Sequence, residues 1–244
     1  MKRFTFQYYE KLLETLKQNG YKFIFFEDLD KIQKQEEKIV LLRHDIDFDV
    51  HQAKKICEIE KEYDVKSTYF FLLNSKFYNI HNSETYEIIN QIIDEGNELG
   101  IHFDEKSYEY SSNSDLNNFI RKEMNFFEQL FDKEINIVSF HRPTSNVLLN
   151  KIDLPVPHTY EDKYAGEVKY LSDSKRQFRE GDLIDIIDSN KYNKLQLLIH
   201  PIWWNQEKIS SQEIYDEFVK RKVIELKNEI SDNSSIYQFE GNDD

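Results

Sequence analysis

Ile39-Val40-Leu41-Leu42-Arg43-His44-Asp45-Ile46-Asp47 is the stretch that decides how the rest of the chain is read. Four apolar residues in an unbroken run read as a strand buried on both faces, the pattern of a parallel sheet covered by helices. The run ends in charge. Asp45 and Asp47 stand two apart, and at that spacing on an extended segment both carboxylates project to the same side. Two like charges so close favour a bound cation, a raised pKa, or both. A divalent metal there would neutralise the pair and activate water for attack. Asp49 extends the run, but no Gly or Glu stands at calcium-loop positions, which sets an EF-hand aside. A plainer role competes for Asp47 and Asp49, that of capping the helix that follows.

Outward from this strand, apolar runs alternate with helical spacing. Tyr8, Tyr9, Leu12, Leu13 and Leu16 predict a helix over 6–18 that stops at Asn19-Gly20, and Tyr21 to Phe26 reads as a strand. Further helices are expected over 50–63, 84–94, 114–132 and 213–230, and strands over 67–73, 99–103, 135–140, 169–171, 195–199 and 236–239. The tail Gly241-Asn242-Asp243-Asp244 is expected to fray. This rhythm means a mostly parallel sheet, either open and doubly wound or closed as a barrel. Polar clusters at 43–47, 102–104, 141–142 and 200 each contain a histidine and each follow an apolar strand. In a βα barrel those strand ends ring one mouth, where chemistry sits, so the barrel is favoured. Without an internal repeat or a linker-like tract, one domain is expected.

His102 and Asp104 share one side of Gly100-Ile101-His102-Phe103-Asp104, a spacing suited to two ligands of one ion. His141-Arg142-Pro143 adds a guanidinium able to orient a carboxylate. His200-Pro201 follows Leu195-Gln196-Leu197-Leu198-Ile199, with Trp203-Trp204 just behind. A histidine beside aromatics at a pocket rim suits a general acid with a sugar-stacking wall, whereas the plainer version is two core tryptophans and a backbone-bonded histidine. His51, His81 and His158 read as ordinary surface residues. Nucleophile-elbow, phosphate-loop and dinucleotide-binding motifs are absent, so serine hydrolysis and nucleotide chemistry have no support.

The chain has 244 residues, 39% of them hydrophobic and 14% aromatic, which is enough to build a sizeable core. A formal net charge of -14 argues against nucleic acid and anionic membranes as partners. The single cysteine, Cys57, is expected to be a small buried hydrophobe. The N-terminus lacks a signal-peptide pattern, and no apolar run approaches the ~20 residues of a membrane helix, so a cytoplasmic protein without membrane insertion is expected. The pattern leaves the oligomeric state open.

Five segments in order resemble the NodB-like polysaccharide deacetylases, the family 4 carbohydrate esterases. They are Leu42-Arg43-His44-Asp45-Ile46-Asp47, Thr68 to Leu73, Glu98 to Asp104, Ser139-Phe140-His141-Arg142-Pro143 and Leu197-Leu198-Ile199-His200-Pro201, within about residues 39–204. The resemblance implies an α/β fold, a distorted (β/α)7 barrel, and removal of an N-acetyl group from an amino sugar of a glycan or glycan precursor. It makes Asp45 the catalytic base and Asp47 a metal ligand. The family usually has adjacent aspartates here, and the intervening Ile46 leaves the two roles exchangeable. His102 matches the first histidine of the family's His-x-x-x-His pair, but the second falls on Lys106, which cannot ligate while protonated. Asp104 is the preferred substitute and His141, otherwise placed with the substrate, the next. Arg142 matches the arginine that orients the base, and His200 the general acid. Ser172-Asp173-Ser174 with Phe178 resembles the motif whose aspartate tunes that histidine; Asp173, Trp203 and Trp204 are placed around the substrate. The resemblance implies one divalent ion, with zinc the family default and cobalt, manganese or iron fitting a carboxylate-rich site. Two other readings stand beside it, a phosphoesterase-like barrel hydrolase with two metals and a non-catalytic carbohydrate-binding protein.

Overall fold

The computed structural model describes residues 2–32, 36–149, 152, 154 and 156–239. Helix α1 (Phe6–Gln18) is capped by Thr5, whose hydroxyl accepts from the Tyr8 amide. Strand β1 is only Lys22–Phe23, shorter than expected, because the chain turns at Phe26–Lys31 into a 3-10 segment that buries Phe26 and Leu29. Strand β2 (Ile39–Ile46) does not stop at Leu42 but continues through Arg43-His44-Asp45-Ile46, buried throughout. Asp49 caps α2 (Val50–Glu62) by accepting from the His51 amide, which is its plainer role. Next come β3 (Thr68–Phe71), α3 (Ser83–Asp94), β4 (Glu98–Phe103), α4 (Asn113–Phe131) and β5 (Val138–Phe140). The chain closes with α5 (Ser145–Leu148), α6 (Asp162–Ala165), β6 (Lys169–Ser172), α7 (Leu183–Asp188), β7 (Lys194–Ile199) and α8 (Ser211–Asn233). The strand expected over 236–239 is not formed. That segment instead folds back on α8, where the Phe239 amide donates to the Ser231 hydroxyl. Gly241 to Asp244 lie outside the described residues.

All strand pairs are parallel, in the order β5-β4-β3-β2-β7-β6, with β1 paired to the first half of β2. Among the described residues no ladder joins β5 to β6, so the sheet is a curled, open half-barrel flanked by helices. This is consistent with a distorted (β/α) barrel, and the curl gathers the C-terminal strand ends at one mouth.

Alternation along β2 assigns its residues to two faces. Ile39 and Leu41 join Phe26, Leu29, Phe70 and Tyr164 in an interior apolar plug. Val40 and Leu42 face outward into the core built with α1, α7 and α8, and Ile46 into the one built with α2, α3 and α4. Gly100 on β4 admits the Phe70 ring to the interior, since a Cβ there would lie 2.5 Å from it. The lower half of the barrel is thus filled with hydrocarbon, and polar side chains on the same interior face lie above it. Cys57 is buried as expected. Among the described residues no helix is long and apolar enough to cross a membrane.

Candidate metal site and its neighbours

The alternation that sends Ile39 and Leu41 inward sends Arg43, Asp45 and, past the strand end, Asp47 to the same side. His102 reaches that space from β4. His141 follows β5 and extends its ladder, its amide donating to the Phe103 carbonyl at 2.8 Å. The Asp47 carboxylate Oδ1 lies 3.1 Å from His102 Nε2 and 3.1 Å from His141 Nδ1, and the two ring nitrogens are 3.3 Å apart. Asp47, His102 and His141 thus form a group of three donors capable of coordinating a divalent metal.

The donor set fits an ion. Ligands about 2.0–2.2 Å from a tetrahedral centre are separated by about 3.3–3.6 Å, close to the spacings seen here. Two imidazole nitrogens converging on one carboxylate oxygen is an arrangement a cation satisfies better than a single shared proton does. Three protein ligands also leave a fourth position for water or substrate. Burial pushes the Asp47 carboxyl up, but hydrogen bonds from His102 and His141 and the charges of His102 and His200 outweigh it. They hold it well below the usual carboxylate range.

Asp45 stands beside this group, its Oδ2 3.8 Å from His102 Nε2. That oxygen accepts from Arg43 Nη2 at 3.0 Å and from the Ser139 hydroxyl at 3.2 Å. Arg43 is fully buried, with Nη1 donating to Gln196 Oε1 at 3.1 Å and its guanidinium between the Phe70 and Tyr160 rings. Gln196 is in turn fixed by donating to the Thr159 and Tyr164 carbonyls. Burial disfavours the Arg43 charge, but Asp45 raises its pKa further and keeps it protonated. Asp45 Oδ1 is buried without a hydrogen-bond partner among the described residues.

His200 flanks the other side, with Nε2 3.9 Å from Asp47 Oδ2. Its Nδ1 lies 2.6 Å from Asp173 Oδ1, and its backbone amide donates to the same carboxylate. The Trp204 indole donates to Asp173 Oδ2 at 2.9 Å. Burial lowers the His200 pKa, but the Asp173 charge and hydrogen bond, with Asp47 and Asp45 behind them, raise it to about 9.

Several sequence expectations change here. The third member of the donor group is His141, which the sequence places with substrate, and not Asp104. The Asp104 carboxylate instead caps a 3-10 turn through the Lys106 amide and accepts from Arg142 Nη2 at 2.6 Å. Arg142 does not reach Asp45. Its φ of 51° turns the backbone left-handed just before Pro143 and sends the guanidinium to the surface. Arg43 takes that place. Trp204 is fully buried and Trp203 nearly so, because the 3-10 turn Pro201–Trp203 directs both indoles into the core. Asp173 is likewise fully buried, beneath His200. His158 is buried beside the Phe140 ring and pushed down to about 4 by that burial, so it is no surface histidine.

One buried group escaped the sequence reading altogether. Glu60 on α2 lies 2.7 Å from His44 Nε2 and accepts from the hydroxyls of Tyr9, Ser67 and Tyr69 at 2.5–2.8 Å. Burial pushes its carboxyl up, yet His44 and these hydroxyls bring it below the ordinary value. The available signal was Glu60 among the apolar positions of a helix. The signal for Arg43 was its place two residues before Asp45.

No protein-family model and no curated protein matches the sequence. Solved structures similar in fold include BA3943, a CE4 family pseudoenzyme from Bacillus anthracis, with TM-score 0.46 and 17% identity over 77% of this chain and 61% of that one. This chain therefore covers less than two thirds of that relative's length. Peptidoglycan deacetylase PdaC from Bacillus subtilis has TM-score 0.47 and 15% identity over 80% and 98% of the two chains. The Streptococcus pyogenes deacetylase PplD in complex with acetate has TM-score 0.47 and 13% identity over 79% and 80%. These are likenesses of fold at low identity.

Proposed function

We propose that the protein is a metal-dependent hydrolase that removes an acyl group, an N-acetyl in the first instance, from an amino sugar. The observation that carries this reading is the convergence of Asp47 Oδ1, His102 Nε2 and His141 Nδ1 beside two further groups of opposite character. On one side Asp45 is paired with the buried Arg43 guanidinium, and on the other His200 is held as an imidazolium by Asp173. An amide hydrolase needs that pair, a base to take the proton of attacking water and an acid to protonate the departing amine. A divalent ion, zinc by preference for two imidazoles and one carboxylate, would supply Lewis acidity and lower the pKa of water.

Arg43 and Ser139 hold Oδ2 of Asp45, which leaves the unpartnered Oδ1 as the atom that would take the proton of attacking water. His200, protonated at neutral pH, gives its Nε2 proton to the leaving nitrogen, and Asp173 keeps the ring oriented throughout. A sugar wall is drawn not from Trp203 and Trp204 but from Phe48, next to Asp47, together with Phe77 and Tyr215. The Phe48 ring lies 4.6 Å from that of Phe77 and 5.6 Å from that of Tyr215, and Phe77 is 42% exposed.

The test is acetate release from N-acetylated chito-oligosaccharides by the zinc-loaded protein. Asp45→Asn and His200→Ala are expected to lower kcat by about 10²–10⁴-fold with the metal retained. If neither substitution changes a measured rate, or two ions bind per chain and phosphate esters are cleaved instead, the reading fails.

A further inference from the structure

Helix α8 is 23 residues long, yet among the described residues it buries only Ile214 and Phe218 against the fold. Val219, Val223, Leu226 and Ile230 are 56%, 43%, 61% and 40% exposed. Their spacing of four, three and four residues is that of a coiled-coil seam, a continuous apolar stripe on the outward side of the helix. Asp216 and Asn233 occupy the next seam positions and end the stripe. A contiguous apolar stripe rimmed by charge marks an interaction surface.

The stripe is complementary to itself. In an antiparallel pair of these helices, Val219 packs against Ile230 of the second copy and Val223 against Leu226 of the second copy, so each layer is apolar and the two-fold lies between positions 224 and 225. Along one edge Lys222 then faces Glu229 of the second copy, and the two-fold makes this attraction twice. On the other edge Lys220 faces Lys227 of the second copy, so that edge repels while the first attracts. A parallel pair would instead set Lys222 against Lys227 on both edges, with no attraction to offset it. Charge therefore selects the antiparallel arrangement.

We infer that the chain forms a reversible two-fold dimer through α8, with a four-layer antiparallel seam of Val219, Val223, Leu226 and Ile230. This assignment is independent of the metal site. A four-layer seam lies near the lower end of stable interfaces, about 1,000 Å² in total, so the dimer should dissociate on dilution.

Sedimentation equilibrium of the full chain at rising concentration tests it. The mass should climb from 29.5 kDa toward twice that value. Val223→Glu with Leu226→Glu, both at exposed positions, should leave a folded monomer at every concentration, with circular dichroism checking the fold. Lys222→Glu should weaken the dimer by about tenfold, and adding Glu229→Lys should restore it. Orientation is read by cysteine cross-linking, since the native Cys57 is buried. A mixture of Val219→Cys and Ile230→Cys chains should form a mixed disulfide. Val219→Cys alone should not, because its two copies would be about 16 Å apart along the axis. A monomeric mass throughout, a dimer indifferent to the double glutamate change, or self-linking Val219→Cys would each overturn the assignment.

Discussion

At the scale of single residues, the place beside Asp45 that the sequence assigns to Arg142 is taken by Arg43. Arg43 is buried and holds Asp45, whereas Arg142 sits 56% exposed beside Asp104. Arg43→Met should destabilise the protein by about 3–5 kcal/mol in urea denaturation, because Asp45 and Gln196 lose a buried charged partner. Arg142→Ala should cost less than about 1 kcal/mol, as expected of an exposed pair. Comparable costs for the two would reverse the assignment. His200 gives a second residue-scale prediction. Its pKa is raised to about 9 from an ordinary 6.5, chiefly against burial and through Asp173. A raised histidine stabilises the fold fully below its unfolded value and loses that contribution as pH rises through about 9. In the metal-free protein, Asp173→Asn should lower the His200 midpoint measured by NMR. An unmoved midpoint would remove Asp173 as its cause.

Among elements, α2 is tied to its surroundings through one carboxylate. Glu60 joins α2 to α1 through Tyr9, to β2 through His44, and to the segment around β3 through Ser67 and Tyr69. Glu60→Ala leaves three hydroxyls and an imidazole without their acceptor, and should cost about 3–5 kcal/mol by denaturant midpoint. Because the Glu60 pKa is lowered on folding, its stabilisation is present above the unfolded carboxylate range and is lost as pH falls through the folded value. A cost below about 1 kcal/mol would mean that water replaces the carboxylate. The helices on either side were legible, since α1, α2, α3 and α4 follow their apolar periodicity almost residue for residue. Strand lengths were not, because a strand ends where its neighbours stop pairing. β2 runs four residues past its apolar run because β3 and β7 pair with it there.

For the molecule as a whole, the curl of the open sheet is what makes three donors from β2, β4 and β5 converge. A metal bound there links three strands, so binding should stabilise the native state and chelation should lower Tm. Zinc titration by calorimetry should find one ion per chain. Asp47→Ala and His141→Ala should each weaken binding at least about tenfold, while Asp104→Ala should leave it unchanged. Tight binding to the His141→Ala protein with loss in Asp104→Ala would restore the ligand set first suggested by spacing.

The sequence by itself determined the alternation of strands and helices, the parallel sheet, and the strand ends at which Asp45, Asp47, His102 and His200 lie. Those are properties of local periodicity, which each segment carries alone. Only the tertiary structure decided the partners. His141 completes the donor group, Arg43 holds Asp45, Glu60 accepts from His44 and its neighbours, and both tryptophans belong to the core. Each of these choices depends on which strand end the curl brings opposite which. Arg142 adds a left-handed backbone angle that no side-chain spacing encodes. The strand Ile39–Ile46 therefore sets where the donor group lies, and the folding of the sheet around it sets which residues join it.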